Sequence, residues 1–183
     1  MIPEFIVGIN LTRLNSNSGG GAGLFGISMV REAAKRYRTL VFTQRSNIAD
    51  IRRRIGTVDG LEYVALDFSN GVDQAFEPYL DDLDVFIDPL NGLEPSRLPR
   101  HVFTVPVIHD LLFVDRPFFF SQEEIDFRRS HYGEAIDRAD HVWTVSEEQA
   151  EKIRHTFGKA AVSAVIQPPH FSLEDQEAVT LEV

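Results

Sequence analysis

Seven short apolar runs alternate with helical patterns along this chain of 183 residues. The runs span four to seven residues each, the usual length of a buried strand; they lie at residues 5–9, 39–43, 61–66, 84–87, 102–108, 142–145 and 162–166. Between them, apolar residues recur at steps of three and four, which is typical of one buried helix face; Ile27, Val30, Ala34 and Tyr37 show this spacing. Seven strands separated by helices are therefore expected, although Pro106 in the fifth run is unusual for a strand.

Polar residues mark where several of these helices begin and end. Ser121 with Glu124, and Ser146 with Gln149, have the spacing of a capping box, in which each side chain bonds the backbone amide of the other. Gly158 is placed to end the helix that Ser146 opens. Ser46 is predicted to cap the short helix over residues 48–55.

Strands that alternate with helices predict an α/β protein with a doubly wound, mostly parallel, Rossmann-like sheet and helices on both faces. The pattern covers residues 1–170, which we expect to form one domain. Residues 171–183 are acidic and show little periodicity, so a linker or frayed tail is expected there. Sheets of this class bind ligands at the carboxyl ends of their strands.

Composition and charge narrow the classes of function. The chain holds no cysteine, which excludes thiolate zinc sites, iron–sulfur clusters and cysteine nucleophiles. Its net charge of −10 argues against nucleic acid as a partner. The N-terminus lacks the features of a signal peptide, and no run approaches the ~20 apolar residues of a membrane span. We expect a cytoplasmic protein.

The charge is unevenly distributed along the chain. Residues 1–54 carry a net charge of +6, residues 55–96 carry −10, and residues 97–183 carry −6. A basic first quarter favours a phosphate-bearing ligand or a peripheral contact with the anionic inner face of a membrane. Solvated helix faces are the simpler alternative.

A glycine-rich segment between the first strand and the first helix is a candidate binding loop. Gly20, Gly21 and Gly23 would let backbone amides approach an anion at a helix N-terminus. Residues 21–26 also match G-x-G-x-x-G, the dinucleotide fingerprint. However, nine residues separate Asn10 from Gly20, where that fingerprint needs a tight turn. Arg45, after the second strand, keeps an NADP site open, and a flexible loop without ligand is the alternative.

His109 and Asp110 directly follow the fifth strand. Polar residues at this end of a strand are candidates for binding a polar ligand, and His109 titrates near neutral pH, so it is also a candidate acid or base. A metal site with His101 and Asp115 would need more ligands than the sequence offers nearby, so no metal is expected. A purely structural histidine is the alternative.

Two further strand ends carry polar residues. Ser146 and Glu147 follow the sixth strand, where the capping box alone explains both. Asp88 ends the fourth strand, where Asp-Pro is typical of a turn. His131, His141, His155 and His170 have no spacing that indicates a site.

Three segments, with a fourth between them, resemble a known family. They are the glycine segment at 20–23, V-I-H-D-L at 107–111, and A-D-H-V-W-T-V-S-E at 139–147, with P-F-F-F-S at 117–121 between the last two. Together they resemble the N-terminal domain of retaining glycosyltransferases of family 4 (glycosyl transferase group 1). The resemblance covers about residues 1–170.

The resemblance implies one half of a GT-B enzyme, a transferase that moves a sugar from a nucleotide-sugar donor to an acceptor hydroxyl on a sugar, lipid or glycan. It implies that His109 contacts the transferred sugar as a catalytic residue. It also implies that Gly20, Gly21 and Gly23 line the cleft, with Ser146 and Glu147 at its floor and Asp110 beside them. No tightly bound cofactor or metal is implied.

The C-terminal donor-binding domain of that family is absent from these 183 residues. The chain by itself is therefore expected to have negligible transferase activity, because half of a site cannot enclose a donor. Two other hypotheses remain open from the residues alone. One is an NADP-binding oxidoreductase domain, and the other is a non-catalytic half domain that pairs with another chain.

Overall fold

The structure is a computed structural model that describes residues 5–15, 20–90, 98–158 and 162–166. Seven strands are formed, namely β1 (Ile6–Asn10), β2 (Arg38–Gln44), β3 (Leu61–Leu66), β4 (Val85–Asp88), β5 (Phe103–Ile108), β6 (Val142–Thr144) and β7 (Val162–Val165). Six α-helices lie between them, namely α1 (Gly20–Ala34), α2 (Ile48–Ile55), α3 (Val72–Leu80), α4 (Leu112–Asp115), α5 (Gln122–Arg138) and α6 (Glu147–Phe157). The predicted α/β class is confirmed. The expected tail at 171–183 lies outside the described residues.

All seven described strands pair in parallel, in the order β3-β2-β1-β4-β5-β6-β7. In the register, Val7 of β1 lies opposite Thr39 of β2 on one side and Val85 of β4 on the other. The chain therefore adds β2 and β3 on one side of β1. It then crosses back over the sheet and adds β4 to β7 on the other side. This order is that of a doubly wound, Rossmann-like sheet.

Helices cover both faces of the sheet, as predicted. On one face, α1 and α2 pack on β1 and β2, with Val30 and Ile51 completely buried. On the other face, α3 packs on β2 and β4 around Phe76, and α5 and α6 pack on β5 and β6 around Ile136 and Ile153. Side chains of successive strand residues alternate between the two layers, as the pleat requires.

Pro106 lies inside β5, opposite Asp88 of β4. The pairing of β5 with β6 begins only at Val107. Proline lacks a backbone N–H, and its place before the second ladder begins explains why a strand with two neighbours holds it.

Three sequence-based predictions at helix ends were wrong in detail. Ser46 does not cap α2, because a 3-10 turn over Arg45–Asn47 leads into this helix and places Asn47 at the cap position. The Asn47 amide instead donates to the Leu14 carbonyl (3.1 Å). Tyr37 does not extend the buried face of α1, which ends at Ala34; it is exposed and packs on Phe5 with 5.4 Å between ring centroids.

The two predicted capping boxes differ. At α5 the box is complete, since Ser121 accepts from the Glu124 amide and Glu124 accepts from the Ser121 amide. At α6, Ser146 accepts from the Gln149 amide (3.2 Å), but the Gln149 Oε1 atom is buried without a hydrogen-bond partner. Only one half of the second box forms, and this is the third prediction at a helix end that was wrong.

Candidate functional site

The crevice at the carboxyl ends of β1 and β4 lies where the direction of strand order reverses. Its floor is a buried polar pair, in which the Asn10 Nδ2 atom donates to Asp88 Oδ2 (2.8 Å). The Thr12 amide and hydroxyl donate to Asn10 Oδ1 (3.0 and 2.7 Å), and the Leu90 amide donates to Asp88 Oδ1 (3.1 Å). These bonds hold both strand ends in one geometry.

From the sequence, Asp88 is expected to be a turn residue, and Asn10 is not among the predicted site residues. The turn interpretation is correct in part, because Asp88 does accept from the Leu90 amide. The available signal was that two apolar strands each end in a polar residue. Only the strand order shows that these two ends are neighbours.

The predicted glycine loop is helical where the structure describes it. Gly20 begins α1 and Gly21 and Gly23 lie in its first two turns, so the expectation of a loop at these three positions was wrong. Residues 16–19 lie outside the described part of the chain. Gly20 has a positive φ of 29°, and no described atom lies within 4 Å of where a Cβ would stand on Gly20 or Gly21. These two residues therefore form the open N-terminal end of α1.

Gly23 and Gly26 have a packing role instead. A Cβ on Gly23 would lie 2.7 Å from Leu14 Cδ1, and one on Gly26 would lie 3.0 Å from Leu11 Cδ2 and 3.4 Å from Pro89 Cγ. The absence of side chains lets α1 approach the segment after β1 and the end of β4 closely. This packing brings the N-terminal half of α1 against the crevice.

His109 lies at the carboxyl end of β5, beside the crevice. Its Nε2 atom is 2.7 Å from the Pro89 carbonyl oxygen, which can only accept, so the ring proton lies on Nε2 and Nδ1 is the acceptor of the neutral ring. The Phe25 ring of α1 meets the imidazole edge to face, with 5.1 Å between centroids. The residue is thus held from β4 and α1 together.

The pKa of His109 is lowered from its ordinary value of about 6.5. Burial is the main cause, because it disfavours the charged ring. The hydrogen bond to Pro89 and the charge of Asp110 act in the opposite direction without outweighing it. His109 is therefore neutral at pH 7.

The other predicted site residues lie at the same edge of the sheet. Asp110 is exposed, and its Oδ1 atom accepts from the Leu112 amide (3.0 Å) at the start of α4. Ser146 caps α6 and Glu147 is the exposed first residue of that helix. The Thr144 hydroxyl donates to the Ile108 carbonyl (2.7 Å) and so joins the ends of β5 and β6. The predicted residues thus follow β1, β5 and β6, three strands of one sheet in which β4 lies between β1 and β5.

A separate apolar cleft of about 630 Å³ lies on the face of the sheet that carries α1 and α2. Its floor comes from β1, β4, β5 and β6 and its wall from α1; the lining includes Val7, Met29, Ile87, Val105 and Trp143. After β3 the right-handed crossovers run over the opposite face. The helix that packs beside β4 and β5 on this face is α1.

The described residues offer neither a metal cluster nor a membrane-spanning helix. No three histidine or acidic side chains there lie close enough together to hold a metal ion. No helix in the described ranges has the length and apolar character to cross a bilayer.

Comparison with known proteins gives no assignment. No protein-family model matches the chain, and no curated protein matches it.

Proposed function

We propose that this chain is the acceptor-side domain of a retaining glycosyltransferase. The observation that carries the proposal is the position of the family-like motifs. The H-D and S-E motifs follow β5 and β6, and the glycine segment opens the helix after β1. In a sheet of order β1-β4-β5-β6 these positions share one edge, next to the point where the strand order reverses. Three segments far apart in sequence would thus serve one cleft.

In the proposed reaction the acceptor hydroxyl oxygen bonds to the anomeric carbon of the donor sugar. The bond from that carbon to the nucleotide diphosphate breaks, the diphosphate leaves with the electron pair of that bond, and it takes up the hydroxyl proton. His109 contacts the transferred sugar in this scheme. A neutral His109 ring that is held through Nε2 by the Pro89 carbonyl presents an uncharged imidazole to the sugar. No tightly bound cofactor or metal takes part in this scheme.

The donor-binding partner is a second domain, supplied by a longer reading frame or by another chain. A single Rossmann-like half leaves the donor exposed to water, and it cannot align donor and acceptor. We therefore expect negligible transfer by residues 1–183 alone. A cytoplasmic location belongs to the same proposal.

The test is a transfer assay on the complete enzyme, after the reading frame has been followed past codon 183. His109→Ala is expected to lower turnover about tenfold or more, because a contact to the reacting sugar is lost. His155→Ala, at an exposed position on α6, is the matched control and should keep full turnover. Full activity of the His109 variant would remove that residue from the site.

The same preparation distinguishes the alternatives. Micromolar binding of NADPH to residues 1–183 would favour an oxidoreductase domain, with Arg45 as the candidate for the 2′-phosphate. The nine residues between Asn10 and Gly20 make this less favourable, because a dinucleotide fingerprint needs a tight turn there. A reading frame that stops after Val183, together with a stable complex with a second chain, would favour a half domain that acts only through its partner.

A further inference from the structure

A second, polar cleft of about 380 Å³ lies at the carboxyl edge of the sheet, between the segment after β1, the end of β4 and the first half of α5. Its lining residues are Arg13, Leu90, Glu124, Phe127, Arg128, His131 and Tyr132. Arg13 and His131 are 118 positions apart in the sequence, yet the Arg13 Nη2 atom is 3.1 Å from His131 Nε2. We call this the Arg13–Arg128 cleft.

The polar groups of the cleft are mostly donors. Arg13 can only donate, so His131 Nε2 accepts from it and the neutral His131 ring carries its proton on Nδ1. The Arg128 guanidinium lies over the Phe120 ring, 4.9 Å from its centroid, which limits where it can point. Among the described lining residues Glu124 is the one carboxylate. Its Oε2 atom accepts from the Ser121 amide (2.9 Å) and hydroxyl (3.0 Å), so it is committed to the capping box.

The cleft adjoins the proposed transfer site at the end of β4. Leu90 lines the cleft, and the carbonyl of the preceding residue, Pro89, accepts the His109 Nε2 proton (2.7 Å). The cleft is therefore next to the histidine that would contact the sugar. Tyr132, which is buried, has a raised pKa, mainly because of burial.

We propose that the Arg13–Arg128 cleft binds a phosphate group of the acceptor. Two guanidinium groups from separate elements offer planar pairs of N–H donors, which match phosphate oxygens. The neutral Tyr132 hydroxyl adds a third polar group, and a phosphate has more oxygens to receive these groups than a carboxylate has. This inference rests on the proposed function, because it takes the neighbouring His109 as the place of transfer.

An exposed aromatic side chain lines this cleft, and two more precede the helix that forms its wall. Phe127 lines it and stacks on His131, with 5.7 Å between ring centroids. Phe118 and Phe119, just before α5, are 71% and 68% exposed. A phosphate on a lipid and a phosphate on a soluble sugar share the chemistry that the arginines recognise. The exposed aromatic side chains would add binding to a lipid surface but not to a soluble sugar phosphate.

The first experiment titrates residues 1–183 with inorganic phosphate, followed by NMR of the histidine rings and backbone amides. Saturable shifts centred on His131 and Arg128 are expected. Arg128→Gln and Arg13→Gln should each weaken binding about tenfold or more, since each removes charge-assisted hydrogen bonds. Arg129→Gln is the matched control, because Arg129 is the next residue on α5 but does not line the cleft. Thermal unfolding of each variant shows that it is folded.

The inference is overturned if phosphate does not bind saturably, or if Arg129→Gln weakens binding as much as the two cleft variants. Binding of phosphate to this chain without any transfer by the complete enzyme would refute the proposed function and leave an anion site. Transfer without phosphate binding would refute this inference alone.

A second experiment separates the two sources of phosphate. Sedimentation with phosphatidylcholine vesicles that contain phosphatidic acid, compared with pure phosphatidylcholine vesicles, detects a lipid headgroup. Retention that Arg128→Gln and the pair Phe118→Ser, Phe119→Ser both abolish supports a lipid phosphate. Binding of inorganic phosphate without retention on vesicles supports a soluble phosphate-bearing acceptor.

Discussion

The surroundings of single residues in this protein come from other elements of the fold. His109 is held by the Pro89 carbonyl and the Phe25 ring, and these come from the end of β4 and from α1. Gly23 is needed because Leu14, on the segment after β1, lies where its side chain would be. Substitutions at His109 and at Gly23 therefore test these contacts directly.

His109 makes the stability of the fold depend on pH. Its pKa is lowered in the folded chain, so the unfolded chain takes up a proton more readily below about pH 6.5. The free energy of unfolding should therefore fall as the pH drops from about 6.5 towards the lowered pKa, and stay level with respect to this group above that window. Urea unfolding of the parent chain and of His109→Gln at several pH values measures this.

In the His109→Gln variant that part of the pH dependence should be absent, and in His155→Gln, on the exposed face of α6, it should persist. The same slope in all three proteins between pH 5 and 7 would contradict the burial of a neutral His109.

Two glycines of α1 should respond in opposite directions to alanine. Gly21→Ala should stabilise the fold by about 0.5 kcal/mol, because alanine is the better helix former and no described atom obstructs the new methyl. Gly23→Ala should destabilise it by about 1–2 kcal/mol, because the methyl would meet the buried Leu14 at 2.7 Å. Urea midpoints at constant slope measure both changes. Stabilisation by Gly23→Ala would show that α1 is not packed closely there.

At the scale of elements, helix starts were predicted well where the cap is local. Ser121 and Glu124 are three positions apart, and their reciprocal hydrogen bonds need no other element. Ser146 caps α6 with one of the two expected bonds. Ser46 failed as a cap because the backbone after β2 turns before the helix begins.

Ser121→Ala should lower the free energy of unfolding by about 1–1.5 kcal/mol, and Ser146→Ala by about 1 kcal/mol or less. The first loss is larger because both halves of the Ser121 box are formed. Ser130→Ala, on the exposed face of α5, removes a bond to Glu134 and should change stability by less than about 0.5 kcal/mol. If Ser146→Ala lowers the free energy of unfolding more than Ser121→Ala does, the complete box at Ser121 is not the stronger of the two caps.

At the scale of the whole molecule, the order of strands leaves an apolar cleft beside α1, over β4, β5 and β6. The cleft includes Trp143, the one tryptophan of the sequence. An open apolar cleft of this volume can take up an apolar dye. The native chain is therefore expected to bind anilinonaphthalene sulfonate, with energy transfer from Trp143 to the dye.

Met29→Glu, in the wall of the cleft, should remove this energy transfer. The carboxylate would repel the sulfonate of the dye, and it would make the cleft too polar to bind the apolar ring of the dye. Leu112→Glu is the control, since Leu112 is exposed but lies outside the cleft. Circular dichroism establishes that both variants are folded. Native chain that gives no dye emission on excitation of Trp143 would show that the cleft is covered.

The sequence by itself determined the strands and the class of the fold. Periodicity of apolar residues is a local property, and it located all seven described strands, the α/β class and the complete cap at Ser121. It also placed His109, Asp110, Ser146 and Glu147 at strand ends, because a strand ends where its apolar run ends. The tertiary structure decided which of these ends are neighbours, since strand order depends on crossovers that cover the sheet rather than on any segment.

The pairs that depend on that order could not be predicted one segment at a time. Asn10 meets Asp88 across 78 positions, and Arg13 meets His131 across 118. Gly20 and Gly21 were predicted as a loop because glycine permits many backbone conformations, whereas packing of α1 on the sheet makes them helical. Local pattern thus determines what each segment is, and the burial of apolar faces against one another determines which side chains meet.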